Sequence, residues 1–298
     1  MTSYQYFPGC SLKATGAAYE ESMHELFRVL GIGLEELEDW NCCGATSYMA
    51  IDEGSAFVLS ARDLSIAGQK STDLLAPCSA CYLVLRKTQD YAQHYPEIRA
   101  RIARSLEQAG LPPLGAVKVR HPLEVLYNDI GLARIRSLVK RKWVGGRMAC
   151  YYGCQIVRPY GEVDKAHDPT RMDELMQAAG VPTVPYSLKT KCCGGALTGT
   201  VHDVGVRLNY ILLKEAIRAG ADCIVTVCPL CQFNLDACQE ELRKETGEDI
   251  DVPIIYFTQV LGWVLGGNPK KLGLKRSIAG QRRIRRWFAE QQEVEQYV

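Results

Sequence analysis

The chain has 298 residues, 47% of them hydrophobic, with a formal net charge of +1 and 13 cysteines. That length and apolar content support a substantial core and fit two domains, while near-neutrality removes the overall basic signature of a nucleic-acid binder. No apolar run approaches the roughly 18 residues of a membrane-spanning helix, and residues 1–10 lack the basic and apolar regions of a secretory signal; the expected location is the cytoplasm.

In chain order, residues 4–8 read as a short strand leading to Cys10, and residues 16–30 carry a helical pattern (Met23, Leu26, Phe27, Leu30) stopped by Gly31. An extended piece leads to Cys42-Cys43. A helix over 53–69 and a strand over 73–76 deliver Cys78 and Cys81, and helices over 82–92 and 96–109 follow. After the Pro112-Pro113 loop, residues 117–120 read as a strand and 123–126 begin another helix. The basic stretch 134–142 and Gly145-Gly146 mark a boundary. The second half repeats the course: a strand over 147–152 before Cys154, a helix over 170–179, an extended piece over 182–186 and a long amphipathic helix over 201–219. A β-branched strand over 223–227 ends at Cys228, a helix spans 233–246, and a strand spans 254–257.

The cysteines repeat with the elements. Cys42, Cys43, Cys78 and Cys81 map onto Cys192, Cys193, Cys228 and Cys231 by adding 150, and Cys10 maps onto Cys154 by adding 144. Ten of the thirteen therefore form two copies of one constellation, C-x31-C-C-x34-C-x-x-C and C-x37-C-C-x34-C-x-x-C. Alternating strands and helices in both copies predict an α/β fold: two similar α/β domains with largely parallel sheets, related by internal duplication. The expected domains are 1–145 and 146–276, with a basic C-terminal tail at 277–298. Each cysteine group follows a strand and precedes a helix, so all five thiols of a half converge where the carboxyl ends of parallel strands gather ligands. An odd cysteine count with vicinal pairs, in a reducing compartment, argues against a disulfide framework and for thiolates held for metal. Four thiolates suit a zinc ion or an ordinary iron–sulfur cube. Five, with a vicinal pair that reaches two irons more easily than one, suit a more open multi-iron unit. Zinc in one half, with a spectator thiol, is the alternative.

The residues resemble the cysteine-rich CCG domain, duplicated as in the B component of heterodisulfide reductase. The likeness runs from Gly9-Cys10 to about Leu274 and includes Val117-Lys118-Val119-Arg120-His121, Tyr127-Asn128-Asp129-Ile130-Gly131, Tyr151-Tyr152-Gly153-Cys154 and Ala219-Gly220-Ala221-Asp222-Cys223. It implies two noncubane [4Fe–4S] clusters, one on Cys10, Cys42, Cys43, Cys78 and Cys81, the other on Cys154, Cys192, Cys193, Cys228 and Cys231, with a disulfide or protein-bound sulfur substrate cleaved or formed between them. It further implies two partners, the ferredoxin-like iron–sulfur component and the flavin component of such a complex, since this sequence has no G-x-G-x-x-G or Walker motif of its own. The alternative within the family is an electron-transfer or membrane-attachment subunit of a succinate, glycolate or lactate dehydrogenase complex that passes electrons to quinone.

Cys150 competes with Cys154, which is preferred because only it follows a glycine as Cys10 does; Cys150, Cys223 and Cys238 read as packing residues. Gly44, Gly194 and Gly195 read as turn glycines, and Pro77 and Pro229 as loop-fixing residues open to a cis bond. His121, His167 and His202 are candidate proton donors, Lys189 and Lys191 candidate counter-charges, and no side chain is assigned a catalytic role. Residues 270–286 hold eight lysines and arginines and no acid, with Ile284, Trp287, Phe288 and Gln291 on one helical face. That tail is expected to be a solvated helix, a docking element for a partner subunit, or a peripheral contact with the inner face of the membrane.

Overall fold

The computed structural model describes residues 2–289. Strands β1 (Ser3–Tyr6), β2 (Gly33–Glu36), β3 (Leu74–Leu75) and β4 (Val119–Arg120) form one sheet in the order β2-β1-β3-β4. Strands β5 (Met148–Tyr151), β6 (Thr183–Val184), β7 (Cys223–Thr226) and β8 (Ile254–Tyr256) form a second in the order β6-β5-β7-β8. Every pairing is parallel. Helices cover these sheets, so the central strands are buried along their length: all four residues of β5 and all four of β7 are inaccessible. In both sheets the chain leaves its first strand to one side and returns on the other, which opens a crevice at the strands' carboxyl ends.

Several boundaries differ from the sequence pattern for local reasons. β1 stops at Tyr6 because Pro8, just beyond it, has no N–H; Phe7 makes the last cross-strand bond, to Leu75 O at 2.9 Å. The helix expected at 82 begins at Ser79 (Ser79–His94), and the one expected over 233–246 is two helices, Pro229–Ala237 and Gln239–Thr246, joined at Cys238. Proline at the first position of Pro229–Ala237 supplies a helical φ and lacks only an N–H that would have no partner there. Ala76-Pro77 and Cys228-Pro229 are trans; among the described residues the one cis bond is Arg158-Pro159.

The halves exchange helices. Helix Phe257–Val264, which follows β8, packs on helix Ala17–Leu30 of the first half. Reciprocally, the π-helical turn Leu126–Ile130 and helix Leu132–Ser137, which follow β4, pack on helix Arg171–Ala178 of the second. At the first contact Tyr19 stacks on Tyr256 (centroids 4.6 Å apart, planes at 11°) and Ser22 Oγ lies 2.6 Å from Thr258 Oγ1. At the second, Tyr127 Oη donates to Glu174 Oε2 at 2.6 Å. One hydrophobic cluster consequently runs through both halves, from Tyr4 and Phe27 to Met172 and Val260.

The tail joins the same cluster, which corrects its reading as a docking element anchored by aromatics. In helix Gln281–Ala289 the side chains of Ile284, Trp287 and Phe288 are buried. Trp143 and Trp263 receive them, with ring centroids 6.1 Å (Trp143–Trp287), 5.5 Å (Trp143–Phe288) and 5.6 Å (Trp263–Phe288) apart. Asp236 accepts from the backbone of Ile278 and Ala279, both at 2.8 Å, fixing the approach. The apolar face of the described helix is thus used within the chain, so Trp287 and Phe288 are not free to anchor a partner or a membrane. Gln291 lies outside the described residues.

Candidate metal centres

Each sheet's carboxyl edge gathers its five cysteines. Cys10 lies in the turn after β1, Cys42 and Cys43 beyond β2, and Cys78 caps the helix whose first turn holds Cys81. The second half repeats this, with Cys228 capping and Cys231 in the first turn of Pro229–Ala237. Cys10, Cys42 and Cys192 are exposed and Cys154 half-buried, while Cys43, Cys78, Cys81, Cys193, Cys228 and Cys231 are buried.

The sulfurs meet in contact. Cys42 lies 3.9 Å from Cys10 and Cys43 3.2 Å from Cys81; in the other half Cys193 lies 3.5 Å from Cys231. Further thiol contacts link Cys42 to Cys43, Cys78 to Cys81, Cys154 to Cys192 and Cys228 to Cys231. Hydrogen bonds received from Cys10 and Cys43 push the Cys42 thiol down to about 2, and one from Cys154 pushes Cys192 down to about 6. Cys10 and Cys154 are pushed up by giving bonds to Cys42 and Cys192, as Cys81 is by its bonds to Cys43 and Cys78 and Cys231 by its bonds to Cys193 and Cys228, with burial adding to each. Each half therefore holds thiols that share protons, which a cation displaces on binding.

Glycine makes this packing geometrically feasible. Gly9 and Gly153 take φ of +64° and +73°, and a Cβ would lie 2.9 Å from Cys81 Sγ at the first and 3.0 Å from Cys231 Sγ at the second. The glycine before Cys10 or Cys154 thus clears the sulfur at the other end of its own constellation.

A cavity of about 110 Å³ adjoins the second group, lined by Cys154, Cys192, Cys193, Cys228 and Cys231 together with Thr46 and Ser79 of the first half. Ser79 Oγ is buried without a partner, as is Tyr19 Oη. A purely sulfur donor set, proton-sharing thiols and an orphaned hydroxyl on the cavity wall suit a sulfide-bearing multi-iron group. Among the described residues no group of three or more His, Cys, Asp or Glu side chains is arranged to hold a single metal ion.

The other candidates have separate roles. Cys150 and Cys223 are fully buried strand residues, and Cys238 sits at the junction of two helices. His121 is buried, with Nε2 2.8 Å from Pro77 O and Nδ1 accepting from Leu123 N at 3.1 Å; burial pushes it down to about 3, so it is a neutral brace behind Cys78. His202 is exposed and paired with Glu241 at 2.7 Å. Lys189 Nζ is held by Pro169 O at 2.9 Å and Asp173 at 3.5 Å. The sequence reading overlooked Ser79 and Asn234; laying one half over the other would have exposed both, since their counterparts are Pro229 and Val84.

The sequence profile of the CCG cysteine-rich domain matches residues 4–86 and again 148–236. The chain belongs to the CCG family. This CCG protein is 33% identical, over 91% of its length and 93% of the relative's, to a protein of Archaeoglobus profundus described as like the B component of heterodisulfide reductase. It is 30% identical, over 92% and 96%, to the 8-methylmenaquinol:fumarate reductase membrane anchor subunit of Wolinella succinogenes. It is 28% identical, over 93% and 94%, to the B component of the ferredoxin/F420H2-dependent CoB-CoM heterodisulfide reductase of Methanosarcina acetivorans. A crystal structure of a hypothetical protein from Helicobacter pylori shares the fold, with a TM-score of 0.72 at 13% identity; the match covers 93% of the CCG protein and about half, 52%, of that chain. Among the described residues of the CCG protein no helix is long and apolar enough to cross a membrane.

Proposed function

We propose that the chain is the iron–sulfur subunit of a heterodisulfide reductase-like complex, with a noncubane [4Fe–4S] cluster in each half, reducing or forming a disulfide between them. The observation that carries this reading is the shared cavity: Ser79, next to Cys78, lines the space against which all five cysteines of the second half are set. The clusters, when bound, supply one-electron redox chemistry at potentials set by their surroundings. The balance is one disulfide plus two electrons and two protons giving two thiols. Cys10, Cys42, Cys43, Cys78 and Cys81 hold one group and Cys154, Cys192, Cys193, Cys228 and Cys231 the other. The helix exchange fixes their separation, and the buried tyrosine pair Tyr19–Tyr256 excludes water between the halves. Electrons come from partner proteins, a ferredoxin-like iron–sulfur component together with a flavin component, with the assembly on the cytoplasmic side or peripheral to the membrane's inner face.

The Wolinella relative favours a second reading, an electron-transfer or membrane-attachment subunit that exchanges electrons with a quinone. Anaerobically purified protein, reduced with a viologen dye, separates the two. Stoichiometric oxidation of the dye by an organic disulfide, with two thiols appearing per disulfide, supports the first. Oxidation by a menaquinone analogue with no thiol released supports the second. Stoichiometric zinc without acid-labile sulfide overturns both.

A further inference from the structure

The two centres differ where the repeat is broken. Backbone amides treat them alike: N–H groups of Gly44 and Ala45 donate to the Cys42 and Cys43 sulfurs, as those of Gly194 and Gly195 do to Cys192 and Cys193. Side chains do not. Asn234, in helix Pro229–Ala237 and 3% exposed, stands three residues past Cys231. Its Nδ2 is 3.0 Å from Gly195 O, 3.4 Å from Cys193 O and 3.6 Å from Cys193 Sγ, an ordinary length for an amide facing the larger sulfur atom. Three acceptors around one nitrogen fix which way the amide points. Asn209 supports the same residue from another helix, with Nδ2 2.9 Å from Cys193 O. Three residues past Cys81 stands Val84, 4% exposed, which has no polar hydrogen to offer. Among the described residues no side-chain amide reaches Cys43. The first half's own side-chain donor, the Ser11 hydroxyl, lies instead against Cys10 and Cys78.

We propose that Asn234 sets the reduction potential of the second centre independently of the first, by donating an amide hydrogen to the Cys193 sulfur. The proposal rests on the iron–sulfur reading above. Reduction adds negative charge to the thiolate-ligated group, and a hydrogen bond to a ligand sulfur favours the reduced form and raises its potential. The same amide hydrogen-bonds Gly195 O, so the donor and the Cys193-Gly194-Gly195 turn move as one unit. Asn234 is therefore a positioning and tuning residue that acts through a ligand, and the donor it supplies has no equivalent in the other half.

The test is a redox titration followed by electron paramagnetic resonance on the full chain, wild type against Asn234→Val, the residue the first half uses. Iron and acid-labile sulfide are measured on both, and a Cys42→Ser, Cys43→Ser chain identifies which signal belongs to the second centre. The expected result is wild-type iron content and a downward shift of the second centre alone, at least tenfold in its oxidised-to-reduced ratio at fixed potential, which is about 59 mV for one electron. Ser11→Ala is expected to move the first centre and leave the second. Asn234→Asp keeps the shape, replaces the donor with an acceptor and shifts the second centre down further. Unmoved potentials with full iron content overturn the proposal. Loss of the second centre's iron in both Asn234 variants also overturns it, by making the residue structural. Wild-type protein without iron and sulfide is a different failure, that of the function itself.

Discussion

Gly153→Ala tests whether the second constellation depends on the closeness of its glycine to a sulfur. Two costs act at that position. At φ +73° a residue with a Cβ occupies the left-handed region, which costs roughly 1–2 kcal/mol. The added carbon also meets Cys231 Sγ at 3.0 Å, closer than such atoms settle, so Cys231 or the turn gives way. Gly180→Ala separates the two effects: its φ is +76°, nearly the same, but nothing lies within 4 Å of the added carbon. Both variants are expected to lose about 2–8 °C in midpoint of thermal unfolding, from about 2–4 °C per kcal/mol. Only Gly153→Ala is expected to lose iron and sulfide, and only from the second half. The assay is anaerobic purification, metal and sulfide analysis, and a melting curve for each protein. Wild-type iron content in Gly153→Ala would refute the reasoning. So would equal iron loss in Gly180→Ala, since the defect would then be general instability.

Three further outcomes are expected. Cys154→Ser removes the second centre, whereas Cys150→Ala leaves its iron in place and lowers stability alone, because Cys150 is a fully buried strand residue; metal analysis of the pair decides between them. Trp287→Ala costs about 3–5 kcal/mol, the usual range for a buried tryptophan, seen as a lower unfolding midpoint, while a loss confined to partner binding would restore the docking role. Burial raises the Asp63 carboxyl to about 7. Between about pH 4 and 7 the unfolded chain has released this proton and the folded chain retains it, so Asp63's contribution to stability falls as pH rises through that window. The advantage of Asp63→Asn over wild type in denaturant unfolding should therefore grow from pH 4 to 7 and stay constant above; a pH-independent difference would contradict this. His121, pushed down to about 3, acts oppositely below about 6.5, but it is common to both proteins and cancels in the comparison.

The α/β alternation and the cysteine register were legible because each rests on a local or repeated signal. β7 is an apolar β-branched run, and four cysteines recurring at a constant offset of 150, with a fifth at 144, announce themselves. Helix Phe257–Val264 was not legible: its residues are buried all round, so there is no polar face to betray a period of 3.6. The tail helix did show its period, yet amphipathicity says only that one face will be covered. That Trp143 and Trp263 cover it is a matter of contacts over 25 to 145 residues of chain, which no local pattern encodes. Asn234 showed only as a break in the repeat, opposite Val84; what its amide does there comes from the carbonyls and sulfur around it.

The helix exchange has a consequence for ancestry and for unfolding. Each half lends helical segments that follow its fourth strand to a helix between the first two strands of the other, so the contact is reciprocal. Two copies of a single half would meet through that same surface, as in an isologous homodimer. The present chain has the arrangement of such a dimer joined end to end, and joining replaces a concentration-dependent association with a permanent neighbour. Once the partners are tethered, the two copies are free to diverge, and differences such as Asn234 against Val84 become heritable. Neither half has a complete surface alone, so the two are expected to melt in a single cooperative step, seen as one calorimetric transition.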